Sequence, residues 1–238
     1  MGEGTIHLHP TAPLAERVLL PGDPGRALLL AQSVLSEPRM FNHNRGLWGY
    51  TGLAADGEPL TIQSTGMGGA SAAIVIEELV VLGARSLIRV GTCGALVGDL
   101  ELGSLLVAES ALPADGASAA LGATGPVAAD PRLTRVLTEA CTPGAVGRVV
   151  SSDLFYDPVA ERASAWVEAG ALAVDMETAT LFQLARRHEL AAGCVLAVSD
   201  MVQPGSTRRR LHADEVAEAG ERMGALAAEA LRPTRSRS

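Results

Sequence analysis

This sequence predicts a single α/β domain, on three observations. Short apolar runs of strand length recur along the chain, most are followed by stretches with apolar residues at helical spacing, and the pattern continues through 238 residues without a compositional break. With 47% hydrophobic residues, a chain of this length can enclose a sizeable core. In open α/β sheets, ligands lie beyond the carboxyl ends of the strands, so the residues just after each run carry the functional information.

The first run, RVLL (17–20), leads into PGDPGR (21–26) and the helical stretch ALLLAQSVL (27–35). LTIQ (60–63) leads into STGMGGAS and the helical stretch SAAIVIEELVVLG (71–83), and SLIRV (86–90) leads into GTCGAL. ADGASAALGATGPVAADP (114–131), small and rich in Gly and Pro, reads as a surface excursion between a strand and a helix. GRVV (147–150) runs into SSDLFYDP, ALAV (171–174) into DMETAT at the head of the helical stretch ETATLFQLARRH, and CVLAV (194–198) into SDMVQPGS. The end, RPTRSRS (232–238), is expected to be a solvated or disordered tail of the one domain spanning 1–238. Glycines, hydroxyls, carboxylates and arginines thus gather at one edge of a sheet.

Composition excludes several functions. The net charge of −8 leaves no broad basic face for a nucleic-acid backbone. All 19 cationic residues are arginine, which excludes a lysine Schiff base and a P-loop lysine and leaves arginine as the fixed-charge ligand for an anion. Cys93, Cys141 and Cys194 are too widely spaced for a metal site or a disulfide framework, so no metal is expected and a reducing, cytoplasmic compartment is. The N-terminal stretch lacks a leader pattern, and no run reaches the length of a membrane span without a charge or a Gly/Pro break, so a soluble, unprocessed protein is expected.

At the strand ends, Gly22 and Gly25 let backbone approach a ligand, and Arg26 adds charge at a helix start. PGDPGR reads as an anion cradle or as a plain turn. Arg89 lies inside an apolar run, where a guanidinium is costly unless an anion or a carboxylate answers it, and Gly91, Thr92 and Gly94 come next with backbone N–H groups and a hydroxyl. Asp175 and Glu177, where strand gives way to helix, suit the hydroxyls of a ribose, although one of them can instead cap the helix. Asp200 emerges from an apolar run, a setting that raises a carboxyl pKa and suits a proton donor, or it is a turn aspartate. Phe155 and Tyr156, together in a chain with three Phe and two Tyr, offer a ring for stacking.

PGDPGR, NHNRGLWGYTG, STGMGGASAAIVIEELVVLGA, IRVGTCGAL, SSDLFY, VDMETATL and VSD, in that order, make the chain resemble the nucleoside phosphorylase family of bacterial hexameric purine nucleoside phosphorylases and uridine phosphorylases over nearly its full length. The resemblance implies a three-layer α/β/α sandwich with a central mixed, partly barrel-like sheet. It implies Gly22, Arg26, Arg89, Val90, Gly91 and Thr92 as phosphate ligands, with Arg45 lent by a neighbouring subunit. It implies His7, or His9 in its place, near the ribose 5′-hydroxyl of that neighbour. Asp175, Met176 and Glu177 match the ribose-binding acid-Met-Glu segment, Phe155 the stacking aromatic, Ser199 a nucleoside contact and Asp200 the general acid. The implied reaction is reversible phosphorolysis of a nucleoside to free base and (deoxy)ribose 1-phosphate, with inorganic phosphate as co-substrate, no cofactor, and a homohexamer built as a trimer of dimers.

A purine is favoured over uracil because the Gln expected of the uridine branch after the SSDLFY segment is missing and Asp200 belongs to the purine branch. Three departures bear on this: Asp175 replaces a glutamate, Thr92 replaces a serine, and Ala213 stands where the purine branch carries an arginine that assists protonation. Arg208, Arg209 or Arg210 takes over that role, or the run is a solvated basic patch. A nucleosidase-type hydrolase and a non-catalytic nucleoside-binding protein are the readings from other classes.

Overall fold

The computed structural model describes residues 4–142, 144–159, 161–202 and 209–233. In chain order its elements are β1 (Arg17–Leu20), α1 (Pro24–Val34), β2 (Ser36–Asn42), β3 (Gly49–Leu53), β4 (Pro59–Gln63), α2 (Gly69–Val81), β5 (Ser86–Ala95), β6 (Leu105–Ala114), α3 (Gly116–Ala120), β7 (Val127–Ala128), α4 (Pro131–Ala140), β8 (Ala145–Ser152), α5 (Glu161–Glu168), β9 (Ala171–Asp175), α6 (Thr178–His188), β10 (Ala191–Met201), β11 (Arg209–Arg210) and α7 (Ala213–Ala230).

Apolar residues on both faces of the central strands dictate the layering. Along β10, Leu196 and Val198 point into one core with Ile76 and Leu79 of α2 and Phe182 and Leu184 of α6. Val195 and Ala197 point into a second core with Leu30 of α1, Leu133 and Leu137 of α4, and Met223 and Ala227 of α7. Strand side chains alternate between faces, so a strand apolar at every position must be covered on both. The expected three-layer α/β/α arrangement results.

The strands form one mixed sheet in the order β11-β10-β6-β8-β9-β5-β1-β4-β3-β2, with β7 on β6. Because β10 pairs in parallel with β5 and antiparallel with β6, the strands β10, β6, β8, β9 and β5 close on themselves as a five-stranded barrel. The strands β1, β4, β3 and β2 extend from β5 as an open wing. A partly barrel-like mixed sheet is therefore what the chain forms.

Local signals set the helix starts. Asp23 caps α1 by accepting from the Arg26 backbone N–H at 2.7 Å, with Pro24 in the first turn, and Asp130 does the same for α4 through the Leu133 N–H at 2.8 Å. One expectation is corrected. The segment 114–131 joins β6 to α4 but is not a bare surface excursion, since it holds α3 and β7, and Asp115, Ser118 and Val127 are buried. The cause is Asp115, whose carboxylate accepts from the Ser118 N–H at 2.9 Å and from the Thr180 hydroxyl of α6 at 2.7 Å, anchoring the segment inward. Residues 234–238 of the expected tail lie outside the described residues.

Candidate active site

A cavity of about 910 Å³ opens where β1, β5, β9 and β10 end, bordered by the segment after β8. Gly22, Arg26, Arg89, Thr92, Phe155, Met176, Glu177, Ser199 and Asp200, all predicted from sequence, border it together.

Arg89 organises one end. It is buried within β5, and its guanidinium folds back over Gly91, where an added Cβ would lie 2.7 Å from Cζ, so only glycine fits there. Its Nε donates to Asp175 at 2.9 Å and its Nη2 group pairs with the Glu177 carboxylate. The second amino group, Nη1, is buried without a hydrogen-bond partner among the described residues and lies beside Gly22, where a Cβ would sit 4.0 Å from it. The two carboxylates hold the Arg89 pKa above its ordinary value although burial opposes this. Arg26, in the first turn of α1, is pushed the other way, first by burial and then by the like charge of Arg89. Two cations bordering one cavity, with an orphaned guanidinium N–H on Arg89 and Arg26 at the start of α1, suit a bound dianion.

The two acids divide the roles left open by the sequence. The side chain of Asp175 is wholly buried. Its carboxylate accepts from Arg89, from the Ser151 hydroxyl at 2.6 Å, and from the Thr178 N–H and hydroxyl at 3.0 and 2.5 Å. It serves the start of α6 and holds Arg89, and the residue borders the cavity although its side chain is buried. Glu177 accepts from the Gly68 N–H at 2.6 Å and retains an edge on the cavity. Burial raises its pKa against the pull of Arg89. Gly68 reaches this carboxylate with φ of +85°, a left-handed backbone that favours glycine.

The opposite end is built around Asp200. The strand pairing of β10 with β11 sets Asp200 across from Arg210, whose Nε lies 2.8 Å from Oδ1, and the Ser199 hydroxyl donates to Oδ2 at 2.8 Å. The Arg210 guanidinium also stands 5.8 Å from the centroid of the Phe155 ring, which meets Tyr156 edge-on at 5.0 Å. Arg210 thus pairs with Asp200 while its side chain stays 59% exposed; Arg209 is exposed, and Arg208 lies outside the described residues.

His7, Arg45, Val90 and Gly91 do not border this cavity. Val90 is buried in the core on the other face of β5. Arg45 is exposed in the tight turn Asn44–Gly46, and the Asn44 side chain donates to the His7 carbonyl at 2.8 Å, so the two residues expected to serve a neighbour lie in joined segments. The Nδ1 of His7 lies 2.7 Å from Glu78 of α2. His9 instead sets its Nε2 3.1 Å from the Ile6 carbonyl. Sequence reasoning missed Leu96, Trp166, Val174 and Val202, which border the far end; as ordinary apolar residues they carry no signal apart from core.

Comparison with known proteins agrees with this geometry. The model of the phosphorylase superfamily matches residues 16–232. The chain is 37% identical over 200 residues to the DeoD-type purine nucleoside phosphorylase of Caldanaerobacter subterraneus subsp. tengcongensis, covering 81% of this chain and 85% of the relative. It is 35% identical over 221 residues to the guanosine phosphorylase of Halorubrum lacusprofundi, covering 91% and 88%. Among solved structures, the uridine phosphorylase of Vibrio fischeri superposes with a TM-score of 0.81 at 28% identity, covering 92% of this chain and 91% of that one. With the barrel, the arginine pair and the acid at one sheet edge, these likenesses lead to one conclusion: the chain belongs to the phosphorylase superfamily.

Proposed function

We propose that the protein catalyses reversible phosphorolysis of a purine ribonucleoside or deoxyribonucleoside to free base and (deoxy)ribose 1-phosphate. The observation that carries this is the polarity of one cavity: a paired-arginine anion site with an orphaned Arg89 N–H at one end, and an acid backed by Arg210 at the other. Phosphate, held by Arg26, Arg89, Thr92 and the Gly22 backbone, attacks C1′ as the base departs, and its charge stabilises the oxocarbenium character of the ribose. Glu177 and Met176 hold the ribose. Asp200 gives its proton to N7, so the purine leaves neutral, and Arg210 stabilises the carboxylate left behind. Asp175 positions Arg89. No cofactor takes part; inorganic phosphate is the co-substrate.

The assembly we propose is a homohexamer, a trimer of dimers in the cytoplasm, in which His7 and Arg45 of each subunit complete the site of a neighbour. Among the described residues no helix is long and apolar enough to cross a membrane. A uracil nucleoside is the second reading, favoured by Thr92 and by the likeness to the Vibrio fischeri uridine phosphorylase. The test is base release from adenosine, inosine, guanosine and uridine, each with and without excess phosphate. Release that needs phosphate and is faster for the purine nucleosides is expected. Release equally fast without phosphate would assign a hydrolase instead.

A further inference from the structure

The cavity lies toward the upper end of the roughly 300–1,000 Å³ typical of ligand pockets, and its two ends differ in kind. Strand register orders them. In the parallel pairing of β5 with β10, Arg89 stands opposite Cys194 and Gly94 opposite Asp200, so the acid lies further along the strands than the anion site. Beyond Asp200 the wall turns apolar. Val174 of β9 pairs with Gly94, and Val202 packs over the same glycine, where an added Cβ would meet Val202 at 2.8 Å and Val174 at 3.4 Å. Behind them, Leu96, Ala163 and Trp166 belong to one apolar cluster with both valines, and all five border the cavity.

Tyr156 lies exposed on the rim of this end, and other polar side chains near it are turned to other tasks. Ser199 and Arg210 serve Asp200. The carboxylate of Asp157 is held by the Val159 N–H at 2.9 Å and by Arg162 at 3.0 Å. In the binding mode proposed above, with the ribose at Glu177 and N7 at Asp200, the six-membered ring would extend toward Val174, Val202, Leu96 and Trp166. Among the described residues, that wall offers hydrocarbon where a polar exocyclic group would need a hydrogen-bond partner.

We infer that this far end is a subsite for an apolar substituent on the six-membered ring, and that the preferred substrates are purine nucleosides carrying a hydrocarbon group there. The inference rests on the purine phosphorolysis proposed above and adds its substrate class. The gain should appear chiefly as a lower KM, since the contacts are made equally in ground and transition states.

The test compares adenosine with N6-benzyladenosine under excess phosphate, in the wild type and in two variants. Ala163→Leu fills the subsite, and Val202→Thr adds a hydroxyl at nearly constant shape. The wild type is expected to give kcat/KM for N6-benzyladenosine at least equal to that for adenosine. Each folded variant is expected to lower the ratio of the two by about tenfold, the scale of a methylene-sized change in an apolar pocket. A wild-type ratio below one, or a ratio unmoved in the variants, would overturn the subsite while phosphorolysis of adenosine stands. If phosphate drives base release from no nucleoside at all, the proposed function falls first and the subsite with it.

Discussion

Replacing Arg210 by alanine removes a cation that lies 2.8 Å from the Oδ1 atom of Asp200. The pair is not deeply buried on both sides: the Asp200 side chain is 4% exposed but that of Arg210 is 59% exposed. A contact of this kind is worth about 1 kcal/mol in bulk water and about 4 kcal/mol near a protein surface, and hydrogen bonds to charged groups contribute about 1.5–3 kcal/mol. Solvent screening of Arg210 favours the lower part of that range, so about 1.5–2 kcal/mol of stabilisation of the Asp200 carboxylate should be lost. Since the carboxylate forms as N7 takes its proton, the loss falls on the transition state and should lower kcat about 10- to 30-fold with little change in KM. The assay is steady-state phosphorolysis of inosine and of 7-methylguanosine. In 7-methylguanosine N7 already carries a methyl group and positive charge, so the base departs without a proton from Asp200. Arg210→Ala should therefore leave 7-methylguanosine turnover within about threefold of wild type on the same energy scale. Equal losses on both substrates would refute the assignment of Arg210 to proton delivery and make it a stacking support for Phe155.

Other perturbations test the same geometry. Arg89→Met should abolish phosphate use and also destabilise the fold by about 3–5 kcal/mol, because Asp175 and Glu177 are left as buried, unanswered acids; chemical denaturation checks this, and unchanged stability would contradict it. Arg45→Ala should raise the KM for phosphate without shifting the melting temperature, because the side chain is exposed in its own subunit; wild-type phosphate kinetics would count against a shared site. Asp56 is held below the usual carboxylate range by its hydrogen bond from Arg17, which also donates to the Glu58 and Pro59 carbonyls and so ties β1 to the β3–β4 turn. The stability this provides is complete above the unfolded-state pKa of about 4 and is lost as pH falls through the lower folded-state value. The Asp56→Asn variant should therefore show a smaller loss of stability than wild type between about pH 5 and about pH 3 on urea denaturation; parallel curves would refute the linkage.

How far the sequence disclosed this arrangement depends on what kind of signal each residue carries. Strands β1, β4, β5, β8, β9 and β10 are legible because they are largely buried and read as continuous apolar runs. The edge strand β2, SEPRMFN, is exposed over most of its length, and β11 is two arginines, so neither has a hydrophobic pattern to read. Strand β6 is apolar at its start but continues through Glu109, Ser110 and Pro113, which mask its length. In the site, a charged residue inside an apolar run marks Arg89 unaided, since such burial demands a partner. The division of labour between Asp175 and Glu177 is set by tertiary partners, Ser151 from β8 and Gly68 before α2, and two acids with one residue between them do not reveal it. Arg210 is one of three adjacent arginines; only the register of β11 against β10 singles it out. The apolar end of the cavity is illegible for the opposite reason, because valine, leucine and tryptophan look the same in a core as in a pocket.

The central claim is that phosphate, not water, attacks C1′. The most direct measurement tracks the sugar product of inosine cleavage by phosphorus NMR in phosphate buffer while base release is recorded in parallel. The account predicts ribose 1-phosphate forming in step with hypoxanthine, one for one, and its loss when Arg89 is replaced. Hypoxanthine appearing with free ribose and no new phosphate ester would contradict it.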